Sequence, residues 1–181
     1  MTSSADRLTL LAIARNAIAA RLEHRKAAPE SLLPSGASEP TGSGGAFVTL
    51  KLYGELRGCI GHIESRRPIR HTIAELALSA AFSDPRFMPL SAKEFAAVHI
   101  EISRLSEFFP IREEDIKVGV HGLLLRAGSR SGLLLPQVAP EQGWDCHAFL
   151  GGLCRKAGLA DGSWRRPEAS LEAFTAEVFG E

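Results

Sequence analysis

The chain has 181 residues, of which 45% are hydrophobic and 23% are charged, and its 21 basic side chains balance 21 acidic ones. This composition is ordinary for a globular domain, and a chain of this length buries a sizeable core without disulfides or metals. The zero net charge argues against bulk binding of nucleic acid, which needs many cationic side chains on one face.

The first element along the chain is a predicted helix. Apolar residues recur near helical spacing over residues 5–26, and Ser3 or Ser4 is a candidate N-cap. Residues 27–45 are rich in proline, glycine and serine, so they predict a long loop.

A hairpin and a second helix follow. Residues 47–53 and 56–60 are predicted strands, and Gly54-Glu55 is predicted to join them as a type II′ turn. Residues 69–82 then show the apolar stripe of a helix, which ends before Pro85 because the residue preceding a proline is pushed out of the helical region.

The rest of the chain alternates between short strands and a broken helix. Short connections between neighbouring strands exclude parallel crossovers, so the predicted fold is α+β, with a mainly antiparallel sheet flanked by helices. The predicted strands lie at residues 98–103, near Val118, at 123–126, 133–135 and 171–178, and the broken helix covers residues 139–157.

Residues 56–61, which read LRGCIG, are the strongest chemical signal in the chain. Gly58 and Gly61 on either side of Cys59 permit a close approach to the backbone, because neither carries a Cβ. The guanidinium of Arg57 favours the reactive thiolate form of the cysteine. The alternative is that Cys59 is a small buried hydrophobic residue, as free cysteines often are.

A nucleophilic thiol needs a base within hydrogen-bond reach. His62 is close in sequence, but an extended strand places it on the opposite face from Cys59. His121, between glycines at a corner of the chain, is the other candidate, and Glu141 is a candidate to orient it. Alternatively, both histidines are surface imidazoles, and Glu141 is an acid at a helix N-terminus.

The segment Ser83-Asp84-Pro85-Arg86-Phe87 has two interpretations. In the functional one, Asp84 and Arg86 belong to a ligand site in which Arg86 and Arg57 hold a carboxylate or phosphate. In the structural one, the segment is a turn that ends a helix, and Asp84 binds local backbone. A nearby basic cluster is interpreted as a solvated face, with an acidic partner or RNA as the minority alternative; it comprises Arg66, Arg67, Arg70 and His71.

Cysteine and histidine spacing predicts neither a disulfide framework nor a metal site. Cys59, Cys146 and Cys154 show no CxxC pair, which is typical of free thiols in a reduced, cytoplasmic protein. The N-terminal sequence does not predict a signal peptide, and no apolar run approaches the roughly 20 residues that cross a bilayer. A homodimer is left open, and no cofactor is assigned.

Several ordered motifs together resemble the AMMECR family, named for a candidate gene of the human AMME syndrome. The resemblance covers nearly the whole chain, so residues 1–181 are predicted to form one AMMECR-type domain, with two lobes allowed. The motifs are LRGCIG at 56–61, Ala80-Ala81, DPRFMP at 84–89, VGVHG at 118–122, LPQV at 135–138 with Glu141 and Trp144, CRKAGL at 154–159, and Phe174-Thr175.

The resemblance implies an α+β fold with a smaller second lobe and a cleft near the segment that contains Cys59. It implies no settled activity. Prokaryotic members are similar to protein A of the AmmeMemoRadiSam system, so a Memo-type protein, related to extradiol dioxygenases, and a radical SAM protein are implied partners. Two hypotheses follow: a thiol-dependent enzyme or thiol carrier that uses Cys59, or a binding or scaffold module that recognises a protein, an RNA or a small anion.

Overall fold

The computed structural model describes residues 2–181. They form two compact units: the first runs to Leu105 and also includes Glu177–Glu181, and the second is Ser106–Ala176. The helices are α1 (Ser4–Leu22), α2 (Ile69–Phe82), α3 (Ala92–Phe95), α4 (Val138–Gln142) and α5 (Cys146–Lys156). The strands are β1 (Ala46–Leu52), β2 (Glu55–His62), β3 (Val98–Leu105), β4 (Phe109–Pro110), β5 (Gly122–Ala127), β6 (Arg130–Leu134), β7 (Ala169–Phe174) and β8 (Ala176–Gly180).

The first unit is a four-stranded sheet in the order β2-β1-β3-β8, with α1 and α2 packed on one face. Strand β1 pairs antiparallel with both β2 and β3. The core-facing side chains alternate along the strands, as a period of two requires, and include Val48, Leu50, Ile100 and Ile102. Cys59 and its neighbour Thr49 therefore point to the other face of the sheet.

Helix α1 begins as predicted and ends earlier. The Ser3 side chain accepts a hydrogen bond from the Asp6 amide at 3.1 Å, which confirms Ser3 as the N-cap. The helix stops at Leu22, four residues before the predicted end, and His24 adopts a left-handed conformation with φ 56°. The predicted loop after it contains one turn of 3-10 helix, Pro29–Leu32, whose Leu32 is buried.

The hairpin turn is Tyr53-Gly54, so the predicted Gly54-Glu55 turn is wrong by one residue. Leu52 pairs directly with Glu55, and the two turn residues have φ of 54° and 86°. Positive φ at both central positions defines a type I′ turn, whose twist suits a hairpin. The tyrosine adopts this conformation although it carries a Cβ.

The second unit is a smaller sheet in the order β4-β7-β5-β6. Its core joins the sheet to α5 and includes Leu123, Leu125, Phe149 and Trp164. The strand predicted near Val118 is wrong, because residues 118–120 form a turn.

The strand predicted over 171–178 is two strands in two different sheets. Strand β7 belongs to the second sheet and β8 to the first, with Thr175 between them. Thr175 is held by Ser106, which exchanges two hydrogen bonds of 2.9 Å with its backbone. None of the helices within residues 2–181 is long and apolar enough to cross a membrane.

Candidate functional site

Cys59 lies on β2, at the edge of the first sheet. It faces Thr49 of β1 across the hairpin, and the Thr49 hydroxyl donates a hydrogen bond to the Cys59 sulfur at 3.3 Å. The cysteine is half-buried, so it is neither a core residue nor a fully solvated one. A hydroxyl donor stabilises negative charge on sulfur, but it does not take a proton from the thiol at neutral pH.

The backbone of Cys59 is held by an ion pair instead of a neighbouring strand. Its N–H donates to Asp84 Oδ2 at 2.9 Å, and its carbonyl accepts from Arg86 Nη2 at 3.1 Å. The same guanidinium binds the Asp84 carboxylate through Nε at 2.9 Å and Nη2 at 2.7 Å. The pair therefore satisfies both backbone groups that an edge strand leaves open.

The Asp84 side chain is 1% exposed, whereas that of Arg86 is 54% exposed. The Arg86 guanidinium, helped by the Cys59 amide, holds the pKa of Asp84 far below its usual value against the opposing effect of burial. The structural interpretation is confirmed, because Asp84 Oδ1 accepts the local Arg86 amide at 3.1 Å. Asp84 also accepts the backbone amide of Cys59, which the sequence did not predict. Arg86 is engaged in the pair, and it also keeps an exposed surface.

Arg57 is the residue of β2 that has no cross-strand partner, at the register shift between Leu50 and Lys51. Its Nε donates to Glu94 Oε1 at 2.9 Å and its Nη2 to the Met88 carbonyl at 2.9 Å. The Arg57 side chain is 12% exposed, and its guanidinium lowers the pKa of Glu94 to about 2. Within residues 2–181, Arg57 Nη1 is buried without a hydrogen-bond partner, which is unusual for a buried polar atom.

Phe87 connects the two arginines. The guanidinium carbon of Arg57 lies 5.8 Å from the centre of the Phe87 ring, and that of Arg86 lies 5.5 Å from it. Both distances are within the range of cation–π attraction. The structure therefore groups Arg57 and Arg86 around Phe87, with Asp84 and Arg86 on the backbone of Cys59. Their role in binding a ligand stays a prediction.

The two glycines beside Cys59 are explained by packing inside the protein. A Cβ at Gly58 would lie 2.2 Å from the Ala80 carbonyl oxygen of α2, and one at Gly61 would lie 2.1 Å from the Phe47 ring. The close approach to the backbone that the sequence predicted is made by helix α2 at Gly58 and by the Phe47 ring at Gly61. A role of either glycine in ligand binding stays a prediction. Gly58 and Gly61 shape the site by letting these two groups approach.

Within the first unit, His62 does not join the cluster. His62 lies 3.8 Å from Glu75 of α2, on the face of the sheet opposite Cys59, as predicted. His121 belongs to the second unit, where its Nδ1 accepts from the Lys117 amide at 3.2 Å and its ring meets Phe109 edge-on at 5.8 Å. The second ring nitrogen of His121 therefore carries the proton when the imidazole is neutral.

His121 lines an open groove of about 600 Å³ within the second unit. Glu141 lies on α4 of the same unit, is exposed, and does not line this groove. The role of His121 and Glu141 toward Cys59 stays a prediction. The groove combines apolar and charged groups, and its other lining residues are Phe109, Pro110, Ile111, Arg112, Glu114, Asp115, Ile116 and Lys117.

Sequence reasoning missed Thr49 and Glu94. Thr49 faces Cys59 because the register shifts by one residue between Leu50 and Lys51, so placing the turn correctly would still have paired Thr49 with Gly58. The spacing of Ser91 and Glu94 is that of a capping box, which α3 forms, and it could have marked Glu94 as a fixed carboxylate. Among residues 2–181, no three or more histidine, cysteine or acidic side chains are grouped to hold a metal ion.

Comparison with known proteins identifies the family and the fold of the chain. The AMMECR1 family profile matches residues 11–179. A protein from Methanothermobacter thermautotrophicus is 40% identical over 181 residues, covering 96% of this chain and 93% of its own, and one from Aquifex aeolicus is 42% identical, covering 76% and 74%. A solved structure of an uncharacterised protein from Pyrococcus horikoshii superposes with a TM-score of 0.81 at 36% identity, covering 95% of this chain and 89% of that one. The α+β fold is thus shared with a solved structure, and the chain belongs to the AMMECR1 family.

Proposed function

We propose that Cys59 is a reactive thiol, used either as the nucleophile of an enzyme or as the attachment point of a thiol carrier. The observation that supports this function best is the combination of a half-buried sulfur beside the Thr49 hydroxyl with a backbone fixed by Asp84 and Arg86. A reacting atom held in one position loses little freedom when it reacts, which is what a catalytic or carrier site needs.

The same cluster favours an anionic substrate. Arg57 has a buried donor without a partner, and Arg86 is half exposed beside the same aromatic ring. A carboxylate or phosphate on the substrate would complete these hydrogen bonds, since guanidinium groups recognise both. In this proposal Cys59 reacts, Arg57 and Arg86 bind the anion, and His121 with Glu141 supplies or removes protons.

The other cysteines provide internal controls for a reactivity test. Cys154 is fully buried in the core of the second unit. Burial, with Glu113 and Asp145 nearby, raises the pKa of the Cys146 thiol, so little thiolate forms there at neutral pH. We expect iodoacetamide to modify Cys59 at least tenfold faster than either control, as measured by peptide mass spectrometry of the native protein.

The Cys59→Ser variant should remove the fast phase and leave the slow modification of Cys146 unchanged. If Cys59 is modified only as slowly as Cys154, at the rate of global unfolding, the sulfur is a packing group and the proposal fails. A thermal unfolding measurement on the variant shows whether the substitution has altered the fold.

The proposal includes a cytoplasmic location and association with Memo-type and radical SAM proteins, as the family resemblance implies. Co-expression and affinity purification test the association directly. We expect wild type and Cys59→Ser to recover both partners equally if the thiol acts after assembly. Recovery of neither partner by wild type would remove this part of the proposal.

A binding or scaffold role is the second candidate. It is favoured by the ion pairs that engage Arg57 with Glu94 and Arg86 with Asp84, and by the hydroxyl, not a base, that contacts the Cys59 sulfur. Its partner would be a protein, an RNA, a small anion or a second copy of this chain. Partner recovery that depends on Arg86 while Cys59 stays unreactive would support this role; light scattering of the full chain tests the homodimer.

A further inference from the structure

A second pocket lies in the first unit, beside α1 and α2, and none of its lining residues belongs to the Cys59 cluster. Its volume is about 450 Å³, within the range of small-molecule sites. The pocket is formed by the end of α1, the turn that follows, the 3-10 helix Pro29–Leu32, and one side of α2.

Seven apolar residues line this pocket. Four are alanines, from α1, the turn after it and α2, and two are leucines, from the 3-10 helix and α2. An apolar group of a ligand that binds here would move from water onto a hydrophobic surface, and this transfer is favourable in proportion to the area covered. These residues are Ala17, Ala20, Ala27, Pro29, Leu32, Ala74 and Leu78.

The rim of the pocket is strongly cationic. Arg21, Arg25, Lys26 and Arg67 line it, with Glu75 as the one lining carboxylate. Arg67 pairs with Glu75 at 2.5 Å. The rim therefore has an excess of positive charge.

Two of these cations have nothing to neutralise them. Arg25 pairs with Glu23 at 2.6 Å, but within residues 2–181 no side-chain ion pair or hydrogen bond is described for Arg21 or Lys26. His71, which also lines the pocket, lies 3.2 Å from Glu30. Arg21 and Lys26 are thus available to an external anion.

The end of α1 does not oppose an anion strongly. The last carbonyls of a helix carry partial negative charge when they are open. Here the Glu23 amide donates to the Ala19 carbonyl, and the Arg25 amide donates to the Ala20 carbonyl at 2.8 Å. These hydrogen bonds occupy two of the last carbonyls of α1.

We propose that this pocket binds a small organic anion, with its apolar body on the alanine-lined surface and its charged group between Arg21 and Lys26. The lining combines apolar side chains with the unpaired cations Arg21 and Lys26, which is complementary to a molecule that carries both an apolar body and an anionic group. This binding is independent of the chemistry proposed for Cys59.

Four probe molecules distinguish the contributions of the apolar group and the anionic group to binding. Titrations of the full chain with 1-naphthyl phosphate, 1-naphthoate, 1-naphthol and inorganic phosphate are followed by backbone amide shifts of the lining alanines. We expect saturable binding of at least one naphthyl anion, at least tenfold tighter than both naphthol and inorganic phosphate. Comparison of the phosphate with the carboxylate identifies the preferred head group, and either order supports the proposal.

Substitutions test the two parts of the pocket. The double variant Arg21→Gln/Lys26→Gln should weaken naphthyl anion binding at least tenfold, as expected for lost charge-assisted hydrogen bonds. The control Arg66→Gln/Lys93→Gln removes the same charge from exposed residues of the unit that do not line the pocket, and should change binding less than twofold. Ala27→Phe should weaken the binding of the naphthyl anions, because the larger side chain fills the apolar space.

Thermal unfolding of each variant shows that the fold is kept. The proposal is overturned if no probe saturates below 10 mM, if naphthol binds as tightly as the anions, or if the double variant and its charge-matched control bind alike. Since none of these outcomes involves the thiol, they are distinguishable from a failure of the Cys59 proposal.

Discussion

Asp84 accepts the backbone N–H of Cys59 at 2.9 Å, so a carboxylate takes the place of the next strand at the edge of β2. Arg86, the ion-pair partner of Asp84, donates a hydrogen bond to the Cys59 carbonyl. The chemistry of the candidate site and the termination of the sheet therefore depend on the same ion pair, which gives the site a stability signature that can be measured.

The Asp84→Asn variant should lose about 3 kcal/mol of unfolding free energy at neutral pH, because it breaks a pair whose carboxylate is 1% exposed. Urea denaturation measures the change. The control is Asp115→Asn, which breaks an exposed pair with Arg112 and should cost less than about 0.5 kcal/mol. Equal effects of the two variants would contradict the assigned role of Asp84.

The same ion pair predicts the direction of the pH dependence. Because Arg86 lowers the pKa of Asp84 below its usual 3.8, the folded state binds this proton less readily than the unfolded state. The contribution of Asp84 is complete above pH 3.8 and is lost as the pH falls below that value. Asp84→Asn should therefore lose less stability than wild type between neutral pH and pH 2.5.

Alanine at either glycine beside Cys59 should destabilise the first unit by about 1–3 kcal/mol, because the added Cβ would overlap a neighbour. The two positions differ in what can relieve the overlap. Phe47→Ala should partly rescue Gly61→Ala, which opposes a side chain, whereas Gly58→Ala opposes the backbone of Ala80 and has no such remedy. Chemical denaturation of the double-mutant cycle reports the coupling, and strict additivity would be the unexpected result.

The Thr49→Val variant should slow alkylation of Cys59 about fivefold at neutral pH, because it removes a hydroxyl hydrogen bond worth about 1 kcal/mol to the thiolate. Peptide mass spectrometry after timed exposure to iodoacetamide gives the rate. Thr175→Val, in which an exposed threonine is changed in the same way, serves as the control. An unchanged rate in Thr49→Val would mean that the hydroxyl does not influence the thiol.

Substitutions of Glu94 and Arg57 test whether the Arg57 charge influences the Cys59 thiol. Glu94→Gln should speed Cys59 alkylation a few-fold, because the Arg57 charge is then no longer neutralised, and Arg57→Gln should slow it. Glu94→Gln should also lower the unfolding free energy by about 1–2 kcal/mol at neutral pH. Wild type should lose the same contribution as the pH falls from 4.5, the ordinary pKa of a glutamate, to about 2, the lowered pKa of Glu94. Identical rates in both variants would argue against any electrostatic link between Arg57 and Cys59.

The local elements were largely predictable, and the errors have physical causes. Helix α2 spans the predicted residues 69–82, because proline bounds it on both sides and an apolar stripe runs between. The hairpin was displaced by one residue because Tyr53 adopts positive φ where glycine or asparagine is usual. Residues 171–178 show one continuous pattern, and nothing local reveals that its halves belong to different sheets.

The residues of the cluster were predictable in part, whereas the contacts between them were not. Cys59, Arg57, Asp84 and Arg86 were identified from residue type and spacing. Their contacts were not, because Asp84 and Arg86 act largely on backbone groups, and backbone hydrogen bonds leave no trace in side-chain identity. The pairing of Arg57 with Glu94 depends on tertiary proximity across 37 residues.

The return of the chain to the first sheet through β8 has a consequence for synthesis on the ribosome. Glu177 and Glu181 bind Arg7 and Arg15 near the start of the chain, so the first unit includes the two ends of this sequence while all of Ser106–Ala176 intervenes. A nascent chain that has reached Leu105 still lacks a strand of its first sheet. We expect the ribosome to finish all the residues of the second unit before it finishes those of the first, although the second unit begins later in the sequence.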